Sequence, residues 1–463
     1  MGEPMAVVRR PATVPADGVS QALAHARARV STRTIGAVLL IALFGVFAAT
    51  AARGYVINDV FSAEVASWRL AGTGTPWLDG VHLQALPHVE VDRLWLTQGP
   101  DGQTTVSRSP GVIAAGVPAY FIAGLVNGHA NDPAWFSYLP GGLMASLLTA
   151  LAMLFLWLSL DGLLRESRRL LAVLAVALTT PVWSIAADGM YTHTVTLPGL
   201  AGLAWAVRRE RWWLAGVFGG IALWGRLHAA VIVAIVGLGL AAWRRRPRIA
   251  VEMGLVSGVF LGLASVWSWL MYGHLSPTGG YAPPSQYAEK AASGNHLDQL
   301  VNQLGLLVAP DRGLLVWTPV LLLLLPAVVR HWRQAPDWTR LLAAGGLVYL
   351  VIQGLMNGFS GGYNFYGYRL TLETLLCLTP LYAVSAIRAG RCVRMLLGPV
   401  LGLQLAAFSL GGFLEPPFLS DGLAWRANAF LHLLHGAPIL AVYTALMVAI
   451  GALAAQAWGE RRL

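Results

Sequence analysis

The stretch that decides the fold occupies residues 35–59 and reads IGAVLLIALFGVFAATAARGYVIND. Its apolar part, residues 35–52, is close to the roughly 20 residues that a helix needs to cross a bilayer. Asp59 follows within about two turns of the predicted helix end. Because a carboxylate at a membrane surface is energetically costly, acids in such places tend to be functional. The stretch therefore predicts a first transmembrane helix that leads into a functional acid.

The composition of the whole chain is that of an integral membrane protein. Of its 463 residues, 56% are hydrophobic and only 12% are charged, whereas about a quarter of residues are charged in soluble domains. The net charge of +10 comes from arginines in short bursts between apolar runs. Such bursts are typical of cytoplasmic loops and not of a nucleic-acid-binding face. The two cysteines, Cys377 and Cys392, fit neither a disulfide framework nor a metal site.

Apolar runs of bilayer-spanning length recur to the end of the chain, and they predict an all-α, polytopic membrane protein with about 12 transmembrane helices. Residues 1–34 are polar and show no apolar period, so they are predicted to form a disordered cytoplasmic N-terminus. Small residues at 48–52 imitate a signal-peptidase site, but the polar stretch before the apolar run is too long for a signal peptide, so the first span is expected to be retained. The predicted spans are 35–52, 137–163, 169–187, 190–207, 211–225, 227–243, 249–272, 313–330, 339–357, 369–388, 394–413 and 436–457.

The topology depends on residues 111–127, which are apolar but interrupted by glycine and proline. If this segment crossed the membrane, every later basic burst would change sides. As an interfacial or re-entrant helix, it leaves all the bursts in the cytoplasm. Residues 53–136 are therefore predicted to be one long outer loop with interfacial helices, within a transmembrane module of residues 35–272. Residues 273–312 are predicted to form a second outer loop, and residues 313–463 the C-terminal transmembrane helices.

This topology places most of the chemically capable side chains on the outer face. The short cytoplasmic loops contain no phosphate-binding loop and no dinucleotide-binding fingerprint. A nucleotide-sugar or ATP donor is therefore disfavoured, and a donor delivered by the membrane is favoured. The outer loops contain no paired Asp-x-Asp sequence, so no metal is inferred, and no cofactor is expected.

Several stretches at the outer ends of the predicted spans resemble those of known enzymes. They are SRSPG at 107–111, VPAY at 117–120, GGIALWGR at 219–226, YGHLSPTGGY at 272–281, APDRGLLVWTPV at 309–320 and GGYNFYGYR at 361–369. With the first span and the acid behind it, they resemble uncharacterised bacterial members of the GT-C superfamily, polytopic glycosyltransferases that use polyprenyl-phosphate-linked sugars. The chain has Ser109-Pro110 where relatives often have two prolines, and Asn58-Asp59 where many have paired acids. The resemblance therefore does not identify the sugar.

The resemblance implies transfer of a sugar from a polyprenyl-phosphate donor to a glycan, lipid or protein acceptor, on the outer face of the cytoplasmic membrane. A sugar that leaves a lipid phosphate departs from a stable anion, so the reaction needs one base and positive charge rather than two carboxylates. Asp59 is the expected catalytic base of an inverting attack, and Glu64 is its rival. The side chains expected to bind substrate are those of Glu64, Arg108, His193, Arg226, His228, Tyr281, Arg312, Tyr363 and Arg369.

Among these residues, Arg226, Arg312 and Arg369 are candidates for the phosphate, since a guanidinium matches phosphate oxygens with paired donors. Ordinary structural roles remain open for all of them. Arg312 can simply pair with Asp311, and Arg369 can pair with Glu373 at the helical i, i+4 spacing.

Two other functional classes remain open for the chain as a whole. The first is a transporter or flippase for a lipid-linked sugar, which is disfavoured because no internal repeats and no charge cluster in mid-span are visible. The second is a non-catalytic scaffold for other envelope enzymes. The expected partners are the lipid-linked donor, its acceptor and the bilayer, and nucleic acid is not expected.

Overall fold

A computed structural model describes residues 16–86, 94–128, 131–279, 295–362, 364–414 and 423–460, with side chains described between residues 32 and 456. Helices dominate, and we number them in chain order. They are α1 (Ala16–Thr50), α2 (Asn58–Thr73), α3 (Pro110–Asn127), α4 (Leu139–Ser159), α5 (Glu166–Leu178), α6 (Thr192–Arg208), α7 (Trp212–Gly225), α8 (Ala230–Arg244), α9 (Pro247–Tyr272), α10 (His296–Val308), α11 (Leu314–Trp317), α12 (Val320–His331), α13 (Asp337–Met356), α14 (Leu372–Ala386), α15 (Arg391–Phe413), α16 (Ala429–Gly436) and α17 (Ile439–Glu460). The strands β1 (Leu96–Gln98) and β2 (Thr104–Val106) form a hairpin in which Leu96 pairs with Val106.

Within the described residues, eight helical segments are long and apolar enough to cross a membrane, and this confirms the predicted all-α polytopic membrane fold. They are Thr32–Thr50, Pro110–Asn127, Leu139–Ser159, Leu227–Arg244, Pro247–Tyr272, Asp337–Met356, Arg391–Phe413 and Ile439–Gln456, and two shorter apolar helices are Trp212–Gly225 and Leu372–Ala386. The segment predicted to be interfacial, α3, is among the eight. Its second half exposes Phe121, Ile122, Leu125 and Val126, so it presents an apolar surface. Its depth in the membrane stays a prediction.

Two predicted boundaries differ from the observed helices. The first helix begins at Ala16, so residues 16–34 are helical rather than disordered, because their alanines and arginines are good helix formers. The predicted span 313–330 is divided into α11 and α12, because Thr318 before Pro319 leaves the helical conformation. The predicted division of the chain into a transmembrane module, outer loops and C-terminal helices stays a prediction.

The centre of the bundle is α6. Nearly all of its residues from His193 to Val207 are buried, which is typical of a helix surrounded by other helices. It packs closely on α7, where a Cβ added to Gly199 would lie 2.5 Å from the backbone nitrogen of Ala222. The absence of a side chain at Gly199 therefore allows the two backbones to approach one another.

Charged side chains collect at two opposite ends of the bundle. At one end, which we name the basic end, Asp161 accepts hydrogen bonds from Arg169 at 2.9 Å and Arg209 at 3.0 Å, and Asp337 accepts one from Arg244 at 2.7 Å. The end of the bundle where α1 stops, and where Asp59 lies, we name the site end. By the positive-inside rule, the basic end is predicted to face the cytoplasm.

The segment between α1 and α4 forms a cap over the site end. In α2, Phe61 and Trp68 are buried against the aromatic rings of Phe136 and Tyr138. Ser62 Oγ, also in α2, accepts a hydrogen bond from the Trp95 N–H at 3.0 Å. The cap is therefore packed as a second core, which fixes both α2 and the hairpin.

Candidate active site

Asp59 lies in the first turn of α2 and holds two arginines. Its Oδ1 accepts a hydrogen bond from Arg108 Nη2 at 2.5 Å, and its Oδ2 accepts one from Arg369 Nη1 at 2.6 Å. The Asp59 side chain is 19% exposed, against 2% for Arg108 and 14% for Arg369. We name these three residues the arginine bridge. It joins segments that are 49 and 310 residues away from Asp59 in the chain.

Arg108 is positioned by the hairpin and by the start of α3. Its guanidinium carbon lies 4.0 Å from the ring centroid of Trp95, which is a cation–π contact. Tyr272, at the end of α9, donates a hydrogen bond to the Arg108 carbonyl oxygen at 3.1 Å. The next residue, Ser109, donates to the Gly225 carbonyl oxygen at 3.0 Å. The SRSPG stretch is thus fixed on both sides of the arginine.

Arg369 is presented by the glycine-rich loop between α13 and α14. Gly361, Gly362 and Gly367 have φ angles of 67°, 98° and 92°, which residues with side chains rarely adopt. Arg312 holds this loop, since its Nη1 donates to the carbonyl oxygens of Phe365 at 3.3 Å and Gly367 at 3.1 Å.

Arg312 also forms an ion pair with the neighbouring acid. Its Nη1 lies 2.8 Å from Asp311 Oδ2, and both side chains are buried. Arg312 therefore supports the loop that carries Arg369. It also pairs with Asp311, which is the structural role that the sequence left open.

A second buried group lies behind the arginine bridge. His193 Nδ1 is 2.7 Å from Glu373 Oε1, and Arg226 Nη1 is 3.7 Å from Glu373 Oε2 and 3.2 Å from both ring nitrogens of His193. We name these residues the histidine cluster. Glu373 thus pairs with His193 and Arg226, and the alternative left open by the sequence, a pair with Arg369, is wrong. Helical i, i+4 spacing does not apply, because α14 begins only at Leu372 and Arg369 lies in the loop before it.

His228 extends this buried polar group towards α13. Its Nε2 contacts the side-chain amide nitrogen of Gln353, and its ring stacks on Tyr349 at 5.2 Å between centroids. Gln353, Glu373 and Trp95 were not predicted as parts of the site. Nothing in their spacing indicates these contacts, since Glu373 is 180 residues from His193.

The two groups together carry an excess of positive charge. Among the described residues, this set contains the guanidinium groups of Arg108, Arg226 and Arg369 and the carboxylates of Asp59 and Glu373, and it carries one positive charge when the histidines are neutral. Burial alone would raise the pKa of Asp59, but the two neighbouring guanidinium groups outweigh this effect and hold the pKa well below its ordinary range. Asp59 is therefore ionised, and the site favours one additional negative charge.

Glu64 has a different environment from Asp59. Five residues along an α-helix correspond to a rotation of about 140°, so the two acids point to different faces of α2. Glu64 is buried, with Oε2 3.2 Å from the Tyr120 hydroxyl and Oε1 3.3 Å from the Met190 N–H. Burial raises its pKa to about 8. The Glu64 carboxyl is thus largely neutral at pH 7 and packed into the cap.

Tyr281 and Tyr363 lie outside the described residues. Within the part of the chain that the structure describes, no group of three or more His, Cys, Asp and Glu side chains could hold a metal ion.

An open apolar groove of about 790 Å³ runs along α12 between α13 and α14. At the site end it includes Leu307 and Thr374, and Thr374 follows Glu373 of the histidine cluster directly in the chain. At the basic end it includes Arg330 and Arg333. Along α12, from Leu321 to Arg330, helical geometry gives a length of roughly 14 Å, about half of the roughly 30 Å hydrocarbon core. The other lining residues include Leu321, Leu322, Leu325, Val329, Leu347, Leu350, Leu378, Leu381 and Tyr382.

Comparisons with known proteins give one distant similarity. No protein-family model and no curated protein matches the chain. Among solved structures, the chain is similar to the archaeal oligosaccharyltransferase AglB from Archaeoglobus fulgidus, in complex with an inhibitory peptide and a dolichol-phosphate. The similarity covers 91% of this chain and 56% of that one, with a TM-score of 0.46 and 10% sequence identity. The chain thus spans little more than half of that protein. A similarity this distant says nothing about activity, which depends on the site itself.

Proposed function

We propose that the protein is an inverting membrane glycosyltransferase that moves a sugar from a polyprenyl-phosphate donor to an acceptor glycan, lipid or protein on the outer face of the cytoplasmic membrane. The observation that carries this proposal is the arginine bridge. It gathers an ionised carboxylate and two guanidinium groups at the end of the bundle opposite the arginine-rich loops. Guanidinium groups at this position neutralise the charge that develops on a departing phosphate.

In this reaction, Asp59 accepts the proton of the acceptor hydroxyl as the hydroxyl oxygen attacks the anomeric carbon. The attack comes from the face opposite the phosphate, so the configuration inverts. Arg108 and Arg369 stabilise the leaving lipid phosphate. Arg226, which contacts His193 and Glu373, adds positive charge to the site. No second carboxylic acid is needed, because the leaving group is already a stable anion.

The apolar groove supports a donor that arrives from the bilayer. Leu322, Val329 and Leu347 are exposed along it, so its side is open to its surroundings. Its site end includes Thr374, which follows Glu373 of the histidine cluster in the chain. A lipid chain in this groove would bring its phosphate towards the guanidinium groups of the site.

The test is transfer by the purified protein in lipid nanodiscs. Candidate polyprenyl-phosphate sugars and an acceptor mixture are supplied, and products are identified by mass spectrometry and their anomeric configuration by NMR. We expect transfer with inversion by the wild type and a loss of at least about 100-fold in Asp59→Asn. Glu64→Gln, on the same helix, is the matched control and should keep its activity. Full activity in Asp59→Asn would remove Asp59 from the mechanism.

A further inference from the structure

The arginine bridge has an unusual distribution of charge. One carboxylate is shared by two guanidinium groups, and each of its oxygens binds a different arginine. Arg369 Nε is also buried and has no hydrogen-bond partner among the described residues, so this guanidinium keeps donor capacity that Asp59 does not use. A carboxylate and a phosphate both offer oxygens on one centre to guanidinium donors. The bridge therefore has the donors and the charge of an anion site whose anion belongs to the protein.

We propose that the Asp59 carboxylate occupies the place of the donor phosphate in the ligand-free protein, and that the phosphate displaces it from Arg108 and Arg369. This inference rests on the proposed function and assigns Asp59 two successive roles. Before binding, it holds in position two arginines from distant parts of the chain. After displacement, its oxygens are released from the guanidinium donors and can accept a proton.

The charges of the site are consistent with this exchange. In the ligand-free bridge, two guanidinium groups and one carboxylate leave one positive charge. A phosphodiester donor carries one negative charge, so the bridge with donor bound is neutral. Without displacement, Asp59 would remain held between the arginines, where their positive charge opposes its protonation. Displacement therefore converts a poor base into a better one only when donor is present.

The transfer step keeps this balance. The acceptor atom forms a bond to the anomeric carbon, and the carbon–oxygen bond to the phosphate breaks with its electron pair on the phosphate oxygen. The acceptor proton moves to Asp59. The phosphate becomes a monoester with two negative charges, facing two guanidinium groups, while Asp59 becomes neutral. The site is neutral before and after transfer.

Other titratable groups near Asp59 do not replace it in this exchange. The Tyr191 hydroxyl lies close enough to interact electrostatically with both Asp59 and Arg369, and a tyrosine remains protonated at pH 8. Arg226, His193 and Glu373 lie behind Arg369 and form their own pairs. Asp188 interacts electrostatically with Tyr191, and burial raises its pKa to about 7, so it is the other acid that could take up a proton. The uptake assigned to Asp59 is therefore the part that Asp59→Asn abolishes and Asp188→Asn retains.

The experiment measures this proton directly. The binding of a short isoprenyl phosphate monoester, and of its methyl diester, is followed by isothermal titration calorimetry at pH 8, where the monoester carries two negative charges. Buffers with different ionisation enthalpies give the number of protons taken up. For the wild type we expect uptake of about one proton with the monoester and none with the diester. Glu64→Gln should behave in the same way, which separates Asp59 from the other acid of α2.

Asp59→Asn removes both the competing carboxylate and the proton acceptor. We expect it to bind both compounds at least about tenfold more tightly, equivalent to about 1.4 kcal/mol, and to take up no proton. Weaker binding by this variant, or equal proton uptake in the two proteins, would overturn the exchange. If the wild type binds neither compound, the proposed function fails instead. If Asp59→Asn does not fold, Asp188→Asn decides the test: retained uptake of about one proton supports the exchange, and lost uptake overturns it.

Discussion

The replacement Glu64→Gln gives the sharpest test of how the two acids of α2 differ. The Tyr120 hydroxyl has only one hydrogen, and it lies 3.0 Å from the Ser137 carbonyl oxygen as well as 3.2 Å from Glu64 Oε2. A neutral Glu64 can donate to the tyrosine oxygen while Tyr120 donates to Ser137. A glutamine amide can make the same donation and still accept from the Met190 N–H. At pH 6 the variant should therefore be about as stable as the wild type.

The pH dependence should differ between the two proteins. Burial raises the pKa of Glu64 from its ordinary value of 4.5 to about 8. Between these values the folded protein retains a proton that the unfolded chain releases, so stability decreases as pH rises. The slope from this one group is at most about 1.4 kcal/mol per pH unit. Glutamine does not titrate, so the variant should lose less stability up to pH 8.

The assay is the midpoint of thermal unfolding in detergent micelles from pH 5 to pH 8.5, with transfer activity measured in parallel. Burial also raises the pKa of Asp188, to about 7, so part of the slope should remain in the variant. Asp59 contributes to the pH dependence of stability with the opposite sign. Its contribution changes only below its ordinary pKa of 3.8, which is outside the pH range of this assay. Equal slopes in the two proteins would refute the assignment of a neutral Glu64. Loss of transfer at pH 6 with normal folding would make Glu64 part of the mechanism.

Two further replacements test the packing around the site. Gly141→Ala should lower the free energy of unfolding by about 1–3 kcal/mol, because the new Cβ would lie 2.2 Å from Glu64 Oε1. The control is Gly262→Ala, whose new Cβ would meet no atom within 4 Å. In thermal unfolding this control should be neutral or stabilising. Glu373→Gln should lower the free energy of unfolding by on the order of 3 kcal/mol, because it removes the carboxylate that pairs with Arg226. Adding Arg226→Gln should recover part of the lost unfolding midpoint. A double variant less stable than Glu373→Gln would contradict this pairing.

The helical architecture could be predicted from the sequence because each long apolar run carries its own signal. The helix α9, for example, lies between a basic burst and Gly273, and its predicted and observed ends nearly agree. Breaks inside apolar runs could not be predicted where a proline interrupts the helix. Residues 169–187 were predicted as one span, but α5 ends at Leu178 and a π-helical turn, Val182–Ala186, follows Pro181.

The three residues of the arginine bridge could be selected from the sequence as candidates, but their pairing could not. Asp59, Arg108 and Arg369 could each be selected as charged residues at the predicted outer face. Their contacts depend on how distant segments fold together, and spacing along the chain contains no such information. The local i, i+4 rule therefore gave Glu373 the wrong partner. The lower solvent exposure of the Arg108 side chain compared with that of Asp59 could not be predicted either, because it depends on how Trp95 and Tyr272 pack around Arg108.

The hairpin and the glycine-rich loop meet at Asp59 from opposite directions in the chain, and this affects the order of biogenesis. A nascent polypeptide inserts its early helices while the segment bearing Arg369 is still unsynthesised. Until that loop arrives, Asp59 has only Arg108 as a partner in the bridge. Completion of the arginine bridge thus coincides with docking of the late helices, so a truncated translation product that ends before Arg369 would reach the membrane without an assembled bridge.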